Sequence, residues 1–308
     1  MTIGILIPTL NASTVWEECL KKIDIQTASI KRKIILDSGS NDNTVSLAKQ
    51  YGFDVITINK KDFDHGYGRV LLAQEAGNVD ILLYLTQDCI LADADSISKL
   101  VTAFDDEKVG VAYGRQLPRS GAKLLEAHAR NFNYPGISTV KSFADRERLG
   151  IRVASCSNSF AAYRTSAFHE IGGFPRNSIF GEDVILGGQM LIKGWKISYV
   201  ANAEAYHSHN YTIKEEFKRY FDIGVFHKTN DFLLKEFGSA SGEGLKYVKS
   251  ELNVILKNNI MLLPKMIGST LAKWVGYKLG LNFNNLPASF RESFSMHKSY
   301  WHKQTKNN

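Results

Sequence analysis

Cysteine is scarce, at three in 308 residues. Cys19, Cys89 and Cys156 are odd in number and far apart, which excludes both a zinc spacing and a disulfide framework. That usage predicts a reducing, cytosolic home. No Walker lysine loop occurs, and no G-x-G-x-x-G follows the first apolar run, so two common nucleotide-binding solutions are excluded. Internal repeats and low-complexity segments are also missing. The chain runs directly into the apolar stretch 3–7 without a basic n-region or a small-residue cleavage site, so no signal peptide is expected. The apolar stretch near residue 270 is short and broken by Lys265, Lys273 and Lys278, which rules it out as a membrane span.

What remains is an ordinary globular composition, 44% hydrophobic and 22% charged. Its length suits one large domain, or one with a smaller appendage. The charge is unevenly placed. Residues 241–308 hold ten Lys and Arg against three Glu and no Asp, an excess equal to the whole-chain net charge of +7. A basic tail on a neutral body points to a polyanionic partner, either nucleic acid or an anionic membrane surface. The tail lacks the interleaved aromatics of a single-strand groove, so no nucleic-acid partner is expected.

The first half alternates short apolar runs (3–7, 34–36, 55–58 and 81–85) with segments long enough for helices. This predicts an α/β fold with a mostly parallel, Rossmann-like sheet covered on both faces by helices. In such sheets ligands sit beyond the carboxyl ends of the strands. The residues there are polar in all four cases: 8–11 (Pro-Thr-Leu-Asn), 37–42 (Asp-Ser-Gly-Ser-Asn-Asp), 60–69, and 86–88 (Thr-Gln-Asp). Taken singly, these are ordinary turn and cap residues, and Asp42 or Asn43 reads equally well as a cap for the helix that follows. Further on, strands are expected at 109–113, 195–200 and 203–206, a mixed strand or turn at 155–163, and helices at 182–192 and 213–235.

The order of these motifs resembles the inverting family-2 glycosyltransferases of GT-A fold, and within them the bacterial rhamnosyltransferases that use dTDP-rhamnose. The broad likeness rests on segments 8–11, 37–42, 86–88 and 181–183 (Gly-Glu-Asp). The rhamnosyl likeness rests on 63–69 (Phe-Asp-His-Gly-Tyr-Gly-Arg), 206–211 (Tyr-His-Ser-His-Asn-Tyr) and 295–301, with 156–163 completing the set. Two departures stand out. Thr86 occupies the place of the first aspartate of the usual Asp-x-Asp metal motif, and 65–70 reads His-Gly-Tyr-Gly-Arg-Val where His-Gly-Gly-Thr-Arg-Asn is the rhamnosyl pattern.

The resemblance implies a site. A departing nucleoside diphosphate needs its charge neutralised, and Mg²⁺ or Mn²⁺ does so with only one or two protein carboxylates. Asp88 is the expected ligand, with His207 or His209 completing the set; the same two histidines read otherwise as a surface pair. Thr9, Asn11, Asp37, Arg69, Gln87 and Asp88 are the expected nucleotide contacts, Arg69 reading alternatively as a solvated helix arginine. Inverting transfer needs one general base. Asp183 is that base by resemblance, and Glu182 binds or positions the acceptor. A helix N-terminus stabilises carboxylates, so Asp183 is expected to be ionised and a weak base.

The division expected is a catalytic domain over 1–240, nucleotide-sugar-binding in 1–115 and acceptor-binding in 116–240, followed by a basic helical extension over 241–308. In that extension Leu263, Met266, Ile267, Leu271, Trp274 and Tyr277 fall on one helical arc, opposite Lys265, Ser269, Lys273 and Gly276. The pattern reads either as an interfacial membrane helix or as a helix packed on the catalytic domain. The activity implied is transfer of L-rhamnose from dTDP-rhamnose to a lipid-linked oligosaccharide in O-antigen or capsule synthesis, by an enzyme peripheral to the inner face of the cytoplasmic membrane. The rivals are a UDP-sugar donor on the same fold, and a non-catalytic nucleotide- and membrane-binding protein.

Overall fold

A computed structural model describes residues 1–12, 14–240 and 242–306. The chain opens with β1 (Ile3–Thr9), α1 (Trp16–Asp24), β2 (Ile30–Asp37), α2 (Thr44–Gln50), β3 (Asp54–Thr57), α3 (His65–Ala76) and β4 (Ile81–Leu85). It continues through β5 (Ile90–Leu91), α4 (Ser96–Val101), β6 (Val109–Leu117), α5 (Leu124–Asn133), β7 (Thr139–Lys141), α6 (Arg146–Leu149), β8 (Phe160–Arg164) and α7 (Thr165–Ile171). Then follow α8 (Glu182–Ile192), β9 (Lys196–Tyr206), α9 (Ile213–Thr229), α10 (Asp231–Phe237), α11 (Glu243–Asn258), α12 (Leu263–Leu281), α13 (Ala288–Phe294) and α14 (Lys298–Lys306).

The strands form one mixed sheet in the order β3-β2-β1-β4-β8-β6-β9-β5, with β7 on β9. Strands β3, β2, β1 and β4 are parallel, β8 runs against both β4 and β6, and β9 runs parallel to β6. The carboxyl ends of β1, β2, β4, β6 and β9 and the start of β8 therefore meet at one edge. Side-chain alternation along each strand splits the core in two. Leu6, Leu36, Leu82 and Tyr84 face α3, α7 and α8, while Ile5, Ile7, Ile35, Leu83 and Leu85 face α1, α2 and α4. Such double coverage explains why every residue of β4 is buried.

Two expectations change. Lys196–Tyr206 is one strand, not two; Val200 pairs with Gly114 but Glu204 with Arg115, so residues 201–203 bulge without ending it. The helix expected over 213–235 breaks at Asn230 into α9 and α10. The stretch 155–163 is mixed as expected, a turn at 158–159 leading into strand from Phe160 onward.

The C-terminal helix differs most. The arc read as its apolar side is divided: Met266 is buried, whereas Ile267, Leu271 and Trp274 are exposed. Lys273, assigned to the polar side, lies against α9 and pairs with Glu216 at 3.3 Å. Glycine makes this possible. A Cβ at Gly280 would stand 2.0 Å from the Phe221 carbonyl, and one at Gly276 would stand 2.4 Å from that of Phe217. Gly280→Val is expected to force the two helices apart and cost about 1–3 kcal/mol or more, read as a fall in the denaturation midpoint. A midpoint at or above that of the parent would refute this packing.

Candidate active site

The loops after β1, β2 and β4 are stitched together by side chains. Asp37, almost fully buried, accepts from Thr9 Oγ1 (3.1 Å), from the backbone N–H groups of Gly39 (3.0 Å) and Ser40 (2.8 Å), and from Ser40 Oγ (2.5 Å). Asn11, at φ 44°, donates its N–H to Ser40 Oγ and accepts from Asn41 N–H. Gln87 pairs with both backbone groups of Leu10, at 2.8 and 3.2 Å. Thr9, Asn11, Asp37 and Gln87 thus come together, and all four side chains are engaged in holding these loops.

Asp88 belongs to the turn between β4 and β5. Ile90 on β5 pairs with Tyr206, the last residue of β9, so the turn and the segment after β9 face each other. As a result His207 Nε2 lies 3.4 Å from Asp88 Oδ1, and His209 Nε2 lies 3.9 Å from Oδ2. One ligand atom from each of the three lies within 4.8 Å of the others. The His207 tautomer follows from its neighbours. Arg130 Nη1 donates to Gln116 Oε1; an arginine only donates, so the Gln116 atom it meets is the oxygen. That same oxygen faces His207 Nδ1 at 3.0 Å, so Nδ1 carries a proton and Nε2 is the ring atom turned toward Asp88. Burial, and then the neighbouring His207, push His209 down to about 4, which leaves it neutral at pH 7. Burial alone would raise the Asp88 carboxyl, but the two histidines help hold it below the usual range. A carboxylate and two imidazoles converging on one point fit a divalent cation.

The second cluster is built at the start of α8. Gly181 precedes it at φ 74°, and a Cβ there would meet the Phe226 ring at 2.7 Å. Glu182 is buried and bonds Arg69 Nη1 at 3.0 Å and Asn158 Nδ2 at 3.1 Å. Arg69 also donates to the His65 carbonyl and is itself only 5% exposed, so the solvated-arginine reading fails. Asp183 is more accessible than Glu182, and its Oδ2 accepts from the Asn158 N–H at 3.0 Å. Burial, and then the charge of Glu182, raise its carboxyl to about 6. Burial would also raise Glu182, but Arg69 and His65 outweigh it and hold Glu182 low. Asp183 is thus ionised at pH 7 as expected, but the expected weakening of the base is reversed, because desolvation and a like charge outweigh the helix terminus.

The clusters are physically joined. Gln116 Nε2 donates to Ser157 Oγ at 2.8 Å, and the next residue, Asn158, holds both carboxylates. Gln116, Arg119, Arg130, Ser157 and Asn158 had no assigned role in the sequence reading. Ser157 and Asn158 stood inside a quoted motif, 156–163, so only there was a signal present.

Residues 4–172 match the family model described as glycosyl transferase family 2. The chain is 47% identical over 302 residues to the O-antigen chain rhamnosyltransferase RfbN of Salmonella typhimurium, covering 98% of this chain and 96% of that one. It is 43% identical over 298 residues to the O-antigen chain rhamnosyltransferase WbaN of Salmonella anatum, covering 96% and 95%. Among solved structures it is similar to the mannosyltransferase PcManGT of Pyrobaculum calidifontis, solved with GDP-Man and Mn²⁺. That TM-score is 0.56 at 14% identity, over 99% of this chain and 86% of the other, a likeness of fold.

Proposed function

The chain belongs to glycosyl transferase family 2 and is a glycosyltransferase, and from that premise we propose that it moves L-rhamnose from dTDP-rhamnose to a lipid-linked glycan, with inversion, in O-antigen or capsule synthesis. The observation that carries the reading is the pairing of two unlike clusters: a carboxylate with two imidazoles, and a carboxylate raised toward neutrality, joined through Gln116, Ser157 and Asn158. The sugar is read from the two Salmonella relatives, both named as rhamnosyltransferases.

In this reading Thr9, Asn11, Asp37 and Gln87 shape the nucleotide cleft. Asp88, His207 and His209 would hold a divalent cation, which supplies neutralising charge to the diphosphate oxygens. Two imidazoles suit Mn²⁺ better than Mg²⁺, which prefers oxygen ligands. Asp183 takes the proton from the acceptor hydroxyl. Glu182, locked by Arg69 and Asn158, keeps a negative charge beside Asp183 that raises its basicity. Residues 1–115 serve the donor, and 116–240 serve the acceptor while lending His207 and His209 to the cation site.

The extension 241–308 contacts an anionic membrane. No helix among the described residues is long and apolar enough to cross one. Met261, Ile267, Leu271 and Trp274 form an exposed stripe, 56–81% accessible, with exposed Lys257 and Lys278 beside it. That combination suits an interfacial helix at the inner face of the cytoplasmic membrane.

The test is a transfer assay with dTDP-rhamnose and UDP-sugars, using lipid-linked acceptor in anionic vesicles, with co-sedimentation of the enzyme. Turnover with dTDP-rhamnose and Trp274-dependent sedimentation are expected. Turnover of UDP-sugars alone would overturn the donor, and sedimentation unaltered by Trp274→Glu would overturn the membrane contact.

A further inference from the structure

Arg119 follows β6, and its side chain reaches the Asp88 turn. Nη2 lies 3.2 Å from Asp88 Oδ2 and also donates to the Asp88 carbonyl. The backbone N–H of Arg119 bonds Ser208 Oγ at 3.2 Å, which ties the loop to the segment carrying both histidines. Its Nε is buried and has no hydrogen-bond partner among the described residues. Arg119 and His209 line a cavity of about 410 Å³ together with Ser120, Tyr211 and Glu215.

This arrangement conflicts with simple metal binding. Asp88 Oδ2 is shared between Arg119 and His209. A divalent cation on Asp88, His207 and His209 would place three positive charges around one carboxylate, in a partly buried site where like charges are poorly screened. An anion with at least two charges and several oxygens would relieve the conflict. The orphaned Nε–H and a neighbouring Nη–H form the edge of the guanidinium that binds phosphate with two parallel hydrogen bonds.

We propose that Arg119 is a ligand of the nucleoside diphosphate and an exchangeable counter-ion of Asp88, which makes cation binding conditional on the diphosphate. Arg119 shields Asp88 from a cation arriving alone. When cation and diphosphate arrive together, the guanidinium turns from the carboxylate to the phosphate oxygens. During transfer the acceptor oxygen bonds to the anomeric carbon as its proton passes to Asp183, the bond from that carbon to the leaving oxygen breaks, its electron pair passes to the diphosphate, and Arg119 stabilises part of that charge. The proposal rests on the reading of Asp88, His207 and His209 as the cation site.

Calorimetric titration of the full chain tests it, first with Mn²⁺ alone and then with dTDP, and UDP in parallel, at saturating Mn²⁺. Arg119→Gln is expected to bind Mn²⁺ alone at least about tenfold tighter and dTDP at least about tenfold weaker, the scale of one lost charged hydrogen bond. Arg119→Lys keeps the charge without the fork, so it should retain weak Mn²⁺ binding and recover only part of the dTDP affinity. Opposite movement of the two affinities is the signature, because a merely structural arginine would weaken both. Unchanged Mn²⁺ affinity in Arg119→Gln, or loss of both affinities together, overturns the proposal. His207→Ala separates the premise: if it leaves Mn²⁺ affinity intact, the cation site and this proposal fail together, and if it abolishes binding while Arg119→Gln changes nothing, this proposal fails alone.

Discussion

Asp183→Asn is expected to slow transfer by about 10²–10⁴-fold, the range of a lost general base, while nucleotide binding at the other cluster persists. Asparagine keeps the size of the side chain but cannot accept the acceptor's proton. The pH profile provides the sharper readout. The Asp183 carboxyl is raised by burial and by Glu182 to about 6, and only its ionised form serves as base. In the parent enzyme kcat/KM should therefore fall as pH drops through that region and level off above it. Asp222 also titrates near 6, raised by burial, but it accepts from the Met296 N–H far along the chain and touches neither cluster. The acid limb should survive in Asp222→Asn. An Asp183→Asn enzyme with near-parent turnover, or an acid limb that moves with Asp222 instead, would remove Asp183 from the role.

Asp88→Asn should abolish Mn²⁺ binding and lower transfer by about 10³-fold or more, since the cation is asked for several kcal/mol of charge stabilisation. Manganese binding followed by electron paramagnetic resonance measures the first effect, and nucleotide release the second. A graded companion lies one layer out. Gln116→Leu removes the oxygen that fixes the proton on His207 Nδ1, and should weaken Mn²⁺ about 10–100-fold without touching the ligands themselves. Retention of full metal affinity by Asp88→Asn would dismantle the cation site. Retention by Gln116→Leu would show only that His207 is oriented by other contacts.

Much of this protein is written locally and was legible for that reason. Apolar runs of three to five residues with helical segments between them dictate parallel strands, because only double coverage buries such runs. Parallel strands place their polar ends together, so Thr9, Asn11, Asp37, Gln87 and Asp88 could be assigned to one edge before any coordinates. Gly181, ahead of Glu182 and Asp183, marks a helix start in the same way. Other features depend on partners far along the chain. The pairing of the two-residue strand β5 with the end of β9 brings Asp88 to His207 and His209 across more than a hundred residues, and no local pattern encodes such a match. The same holds for Gln116 and Arg119, which reach the cluster because β6 flanks the other side of β9. On helix α12, Gly276, which falls on the polar side in sequence, packs with Gly280 against α9, and Ile267, Leu271 and Trp274 of the apolar arc are left outside. Asp183 shows the difference most directly. Sequence alone determined that a carboxylate stands at a helix N-terminus, where charge is favoured; tertiary structure decided that it is desolvated beside an ionised Glu182, and those two effects set its basicity.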